Sequence, residues 1–242
     1  MQQFYPIVRE IKTNKEYKWE LLDELNVGGE SAIMYDLRCN KSGSYVLKFM
    51  EFENYKPEVY EKVVKQVINE VQIHDSCYSL GISPEIIEAW ICDKGAIIIM
   101  RKLYKTVRKL LSESKSFLVR YTIVTNVISL IDTMHQNGIY HHDAHPDNFM
   151  VVNINQDMNQ DMNHNEWERY NSKEYKYYVI DFGASESSKG VKNDHKTAHK
   201  TADDYLVFAS FMKYYFSIEE TKKLLKSFVT LTKKEKKILL KI

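Results

Sequence analysis

Glycine and proline are scarce in this sequence, 8 and 4 among 242 residues. That excludes a collagen-like repeat or a Pro/Gly-rich low-complexity chain, and it makes any local pair of glycines informative. Cysteine is scarcer still. Cys39, Cys77 and Cys92 are odd in number and widely spaced, which argues against a disulfide framework or a zinc knuckle and suits a reducing compartment. Charge of one sign is missing too: 34 Lys and Arg against 33 Asp and Glu leave a net charge of +1, so there is no global pull toward nucleic acid or an anionic membrane. The longest aliphatic run, Ala96-Ile97-Ile98-Ile99-Met100, is far too short to span a bilayer. The opening Met1-Gln2-Gln3-Phe4-Tyr5-Pro6 lacks a basic stretch followed by an apolar one and is not read as a secretory signal. The expectation is a cytoplasmic protein with neither a membrane span nor a nucleic-acid partner.

What is present is ordinary for a globular chain: 44% hydrophobic and 28% charged residues, enough for one domain or two lobes that fold as a unit. A surplus of Lys, Ile and Asn, with 17 Tyr, points to an AT-rich genome such as that of some large DNA viruses or protozoa. If viral, the protein is expected in host cytoplasm or the virion. Residues 17–52 read as a three-stranded meander, with turns at Leu25–Ser31 and Asn40–Gly43. From Pro57 to Ser79 the period changes: Val59, Val63, Val67, Ile68 and Val71 recur at helical spacing, predicting a long amphipathic helix. Two further strands follow at Ile86–Trp90 and Ala96–Met100.

After Lys102 the pattern turns helical. Leu118, Tyr121, Ile123, Val124, Val127, Ile128, Ile131 and Met134 predict a buried face on a helix over Ser116–Gly138, ended by the glycine. Phe149–Val152 and Tyr177–Ile180 read as strands. Between them, Asn153–Lys173 is polar, carries a tandem Gln-Asp-Met-Asn, and reads as an exposed insertion. A second tandem, His195-Lys-Thr-Ala / His199-Lys-Thr-Ala, precedes a helix expected near Asp203–Tyr215. His195 and His199 are spaced for a metal, but no Glu or Cys completes such a site. The lysines from Lys222 onward are diluted by Glu219, Glu220 and Glu235 and read as a solvated face.

Chemistry concentrates in Tyr140-His141-His142-Asp143-Ala144-His145-Pro146-Asp147-Asn148 and in Asp181-Phe182-Gly183. Asp143, four intervening residues, Asn148, a strand, a hairpin and then Asp-Phe-Gly resemble the core of the protein-kinase-like superfamily over about residues 20–212. The resemblance implies an α+β, two-lobed fold: a small β-rich N-lobe over 1–102, and a minimal helical C-lobe over 103–242 carrying the polar insertion 153–174. It implies ATP and Mg²⁺ as cofactors. Asp143 would orient or deprotonate the attacking hydroxyl, and Asn148 and Asp181 would be metal ligands. Lys48, ending Tyr45-Val46-Leu47-Lys48, would meet the phosphates. Glu70 on the long helix would pair with Lys48, with Glu61 as competitor. Gly28 and Gly29 stand where a phosphate-cradling loop belongs, although only Gly29 matches one of the family's three glycines. Met100 and Lys102 lie where the family's hinge contacts adenine.

The departures bear on the acceptor. His142 replaces the arginine that senses activation-loop phosphate, and His145 replaces a lysine typical of serine/threonine kinases. No Ala-Pro-Glu occurs in the 20 residues from Gly183 to Asp203. The His-Pro-x-Asn run is also similar to aminoglycoside- and choline-kinase-like phosphotransferases. Asp203, with Asp204 as competitor, would brace the catalytic loop. The expected activity is phosphoryl transfer from ATP to a hydroxyl, as a serine/threonine protein kinase of compact, atypical kind. The alternatives are a small-molecule phosphotransferase and a kinase-like binding protein with little activity.

Overall fold

The structure, a computed structural model, describes residues 9–12, 16–25, 32–41, 43–52, 57–92, 94–153, 175–188 and 195–227. Gly28, Gly29, the segment 154–174 and the lysines beyond residue 227 lie outside them, as do the side chains of His195 and His199. The chain divides into two compact units, Met1–Lys102 and Leu103–Ile242. Both mix helix and strand, so the protein is α+β.

The first unit is a six-stranded antiparallel sheet with one long helix. Its strands are β1 (Arg9–Lys12), β2 (Trp19–Leu25), β3 (Ile33–Cys39), β4 (Tyr45–Glu51), β5 (Ile86–Cys92) and β6 (Gly95–Arg101), in the order β1-β5-β6-β4-β3-β2. The meander β2-β3-β4 sits on one side of β6, and β5 returns on the other. Alternation along β4 and β6 divides the sheet into two faces. Val46, Ile86, Ala89, Ile98 and Met100 pack with Val71 of helix α1 (Pro57–Ser79). Leu37, Tyr45, Ile87 and Ile99 form a second cluster with Tyr17, Trp19 and Trp90. Tyr17 stacks on Trp19 at 5.1 Å, and Trp19 meets Tyr45 edge-on at 5.1 Å. Gly95 opens β6 because backbone approaches it closely: a Cβ there would lie 2.4 Å from the Met50 carbonyl oxygen.

Helix α1 buries Val67, Glu70, Val71 and His74, a stripe at i, i+3, i+4 and i+7. Val59, expected on that face, is 40% exposed, because the first turn lies off the packed stretch.

The second unit opens with a two-residue strand β7 (Lys105–Thr106) and helix α2 (Val107–Glu113), capped by the Thr106 hydroxyl accepting from Lys109 N–H at 3.2 Å. Helix α3 (Phe117–Gln136) is its centre and buries Ile123, Val124, Val127, Ile128, Leu130, Ile131 and Met134. Leu118, expected on the buried face, is 69% exposed in the helix's first turn. Among the described helices, α3 alone has the length and hydropathy of a membrane span, a test that the core helix of a globular domain also passes. Here its apolar residues face α2, β8 (Ile139–Tyr140), β10 (Tyr175–Val179) and α4 (His195–Ser210). Gly138, at φ +71°, turns the chain out of α3, its N–H bonded to the His135 carbonyl at 3.0 Å.

Strand β9 (Phe149–Asn153) pairs antiparallel with β10 and with β7. A two-residue strand β11 (Glu186–Ser187) pairs with β8. Helix α4 begins eight residues before the expected Asp203, since a four-residue tandem keeps like residues near one helical face. It gives way at Met212–Tyr214 to a 3₁₀ turn, followed by α5 (Ile218–Ser227), whose Leu224 is buried.

Candidate functional site

In the first unit the noteworthy polar pair is Lys48 and Glu70. β4 alternates so that Lys48 shares a face with Val46, and the buried stripe of α1 presents Glu70 between Val67 and Val71. Lys48 Nζ donates to Glu70 Oε1 at 2.8 Å, and both side chains are nearly removed from solvent, at 11% and 6% exposure. Glu61 lies on the exposed side of α1, so Glu70 takes the lysine. A lysine held in low dielectric against a carboxylate is a fixed positive charge, which can compensate an anion.

Met100 is buried in the core of the first unit. Lys102 pairs through Nζ with Asp36 at 2.6 Å, and its N–H donates to the Ser44 carbonyl at 2.9 Å. The preceding Arg101 N–H goes to the Glu85 carbonyl at 3.3 Å. Both N–H groups in this stretch are thus bonded within the first unit, to carbonyls that flank strands.

In the second unit, residues 140–148 form a loop pinned from below by one carboxylate. Asp204 on α4 is fully buried. Its Oδ2 accepts from the His141 N–H at 2.8 Å and from His135 Nε2 at 2.9 Å, and its Oδ1 accepts from the His142 N–H at 2.6 Å. Burial alone would raise the Asp204 carboxyl. The hydrogen bond from His135 and the one from the His141 backbone outweigh it and hold the group below the usual carboxylate range. Asp204 therefore braces the loop, whereas Asp203, to which the sequence assigned that place, is exposed. The register decides between them: Asp204 shares a face with Phe208 and Met212, both buried.

His141 ties the loop to the chain that follows β10. Its ring is buried beside Phe182 at 5.4 Å, and Nε2 donates to the Ile180 carbonyl at 2.9 Å. Burial pushes the His141 imidazole below its ordinary value, so the ring is neutral with its proton on Nε2. Ile180 is held from the other side as well, its N–H donating to the Asn148 carbonyl at 2.9 Å. Asp181 thus emerges from a residue whose two backbone groups are both fixed by the loop. Its φ is +61°, its side chain is exposed, and Phe182 behind it is fully buried. His142 at φ +63° is the other non-glycine residue with positive φ among those described. Such outliers cluster where structure around them over-determines the backbone.

Asn148 closes the loop. Its Nδ2 donates to the Asp143 carbonyl at 2.9 Å and to Asp143 Oδ2 at 3.2 Å. His145 lies on the same carboxylate, with Nε2 3.4 Å from Oδ2. With its amide nitrogen committed to Asp143, Asn148 has its amide oxygen left for a cation. Among the described residues no group of three or more His, Cys, Asp or Glu converges as a self-sufficient metal cage. A carboxylate such as that of Asp181 and an amide oxygen such as that of Asn148 are donors of the kind Mg²⁺ would take. This ion takes one or two protein oxygens and completes its octahedron with water and phosphate.

Of the residues singled out from sequence, Lys48 and Glu70 meet in the first unit. Asp143, Asn148 and the residue before Asp181 meet in the second. Sequence reasoning did not foresee the parts played by His135 and by β8 and β11. The Phe208–Met212 spacing would have favoured Asp204 over Asp203. Searches against protein-family models and against curated proteins match this chain to none of them.

Proposed function

We propose that this chain is an ATP- and Mg²⁺-dependent phosphotransferase, acting on Ser or Thr hydroxyls of a protein. The observation that carries the reading is the doubly held Ile180. It ties an exposed Asp181 to the loop bearing Asp143 and Asn148, so that two carboxylates and an amide oxygen share one rigid frame. Phosphoryl transfer asks little covalent chemistry of a protein, and it is positioning and charge compensation that set the rate. Asp143 would accept the proton of the attacking hydroxyl or orient it. Asp181 and Asn148 would hold the metal, which when bound neutralises charge on the phosphate oxygens. Lys48, kept in place by Glu70, would stabilise phosphate charge.

Transfer to a small-molecule hydroxyl is the second reading, favoured by His145-Pro146 directly after the Asp143 turn. The test is Asp181→Asn with ATP and Mg²⁺. Turnover should fall by about 100-fold or more, in line with losing a principal charge-stabilising group, while the melting temperature stays near wild type because the side chain is exposed. Unchanged turnover refutes the assignment. Mass-spectrometric mapping of transferred phosphate, on the protein itself and on added peptides and small alcohols, separates the two acceptor classes.

A further inference from the structure

We propose that His145 is a positioning residue that fixes which oxygen of Asp143 faces the acceptor hydroxyl; the inference rests on the phosphotransfer reading above. Two observations carry it. The first is that both groups approaching the Asp143 carboxylate meet the same oxygen. Asn148 Nδ2 lies 3.2 Å from Oδ2 and His145 Nε2 lies 3.4 Å from Oδ2. The Asn148 hydrogen bond and the imidazole nitrogen beside it both occupy the Oδ2 side and leave Oδ1 as the oxygen with its lone pairs open, the atom a hydroxyl proton would reach.

The second observation is what sets the imidazole's tautomer. The Asp147 N–H donates to His145 Nδ1 at 3.3 Å. Nδ1 is then the acceptor, and in a neutral ring the proton must sit on Nε2, facing Asp143. The donor is present whether the ring is neutral or protonated, so the role does not depend on titration. The Asp147 carboxylate lies 3.6 Å from Nδ1 and could draw a proton there instead. It is occupied by Arg108, whose Nε donates to Asp147 Oδ2 at 2.6 Å, and Arg108 is itself steadied over the Phe211 ring at 4.9 Å. Phe211 also flanks the His145 ring at 6.3 Å. Arg108, Asp147, His145 and Asp143 form a chain in which each member restricts the next. At 3.4 Å Nε2 stands beside Asp143 Oδ2 without a formed hydrogen bond, and the proposal has that bond form when the acceptor is bound.

The experiment compares His145→Leu, which keeps bulk and removes the donor, with His145→Gln, whose amide nitrogen can reach the place of Nε2. Asp143→Asn is the control for the reaction itself. Turnover of ATP with Mg²⁺ and nucleotide affinity are measured for each. The expected result is a kcat loss of about 10- to 100-fold for His145→Leu, the range for one orienting hydrogen bond to a charged group, with ATP affinity unchanged and most of the loss recovered in His145→Gln. Equal losses in Leu and Gln, or a loss carried by ATP affinity alone, overturn the positioning role. If Asp143→Asn is inactive while His145→Leu turns over like wild type, the inference fails and the phosphotransfer reading stands. If Asp143→Asn turns over like wild type, or the wild type itself does not turn over ATP with Mg²⁺, both fall. Nitrogen-15 spectra of the His145 ring give a readout that needs no turnover. They should show Nδ1 unprotonated and Nε2 protonated, and a proton on Nδ1 of the neutral ring would turn a lone pair toward Asp143 and overturn the proposal.

Discussion

Replacing Asp204 by Asn should unfold the second unit far more readily than its isosteric shape suggests. The carboxylate is fully buried and takes three donors at 2.9, 2.8 and 2.6 Å. An amide offers one acceptor oxygen. If that oxygen stays on the His142 N–H, the new NH₂ group faces both His135 Nε2 and the His141 N–H, and two buried donors lose their partner. If the amide flips, one donor is orphaned and the remaining bonds lose their charge assistance. Hydrogen bonds to a charged group are each worth about 1.5–3 kcal/mol. The variant regains some of the cost of burying a charge. The net loss should be about 2–5 kcal/mol, a large part of the roughly 5–15 kcal/mol that holds a domain together. Urea denaturation followed by circular dichroism measures it, with Asp203→Asn as the comparison. That variant should stay within about 0.5 kcal/mol of wild type, as an exposed substitution does. Amide exchange at His141 and His142 should also speed up in Asp204→Asn. The carboxyl is depressed in the fold, so its contribution is complete above the unfolded value of 3.8 and is lost as pH falls through the lower folded value. The gap between wild type and Asp204→Asn should therefore narrow in acid. Equal midpoints for Asp204→Asn and wild type near neutral pH, or a larger loss in Asp203→Asn, would refute the reasoning.

Lys48→Met and Glu70→Leu should each cost about 3–5 kcal/mol in the same denaturation assay, because each takes a partner at 2.8 Å away from a buried charge. The double variant should recover most of that stability while remaining inactive under the proposed phosphotransfer; additive losses would show that the two do not form the operative pair. His141 is held below its ordinary 6.5, so the unfolded chain binds a proton that the folded one refuses, and stability contributed by this group falls as pH drops below 6.5 at up to about 1.4 kcal/mol per pH unit. His141→Gln should flatten the dependence of the urea midpoint between pH 7.5 and 5.5, and an unchanged slope would place the titration elsewhere.

Much of the first unit was legible because its elements are long enough to show a period. The strands β2 to β6 each run seven residues, and α1 carries its apolar stripe through several turns. The same stripe made Glu70 legible: with Val67, Val71 and His74 it completes i, i+3, i+4 and i+7, so a carboxylate on the buried face needed a cation, and Glu61 lies off that face. Strands β7, β8 and β11 were not legible. Two residues carry no alternation, and what makes them strands is a partner tens of residues away. The start of α4 was missed for another reason. A polar tandem reads as solvated chain by composition, although its four-residue step is close to the helical turn.

The loop chemistry was legible as a list of residues but not as a mechanism of support. Sequence spacing located Asp143, Asn148 and Asp181, yet it is Asp204, His135 and His141 that hold the backbone between them, and these act through buried contacts at sequence separations of 39 to 69 residues. Among the described residues, the two non-glycine ones in left-handed backbone, His142 and Asp181, make the point energetically. Each such conformation costs about 1–3 kcal/mol and persists only where neighbours over-determine it. His142 is held by its own N–H on Asp204. Asp181 follows Ile180, whose N–H and carbonyl are both taken. A loop meant to move would not fasten a strained residue with a charge-assisted hydrogen bond to a fully buried carboxylate. A loop meant to present Asp143, Asn148 and Asp181 in one arrangement would, because preorganised groups reach the transition state without reorganising at the moment of reaction.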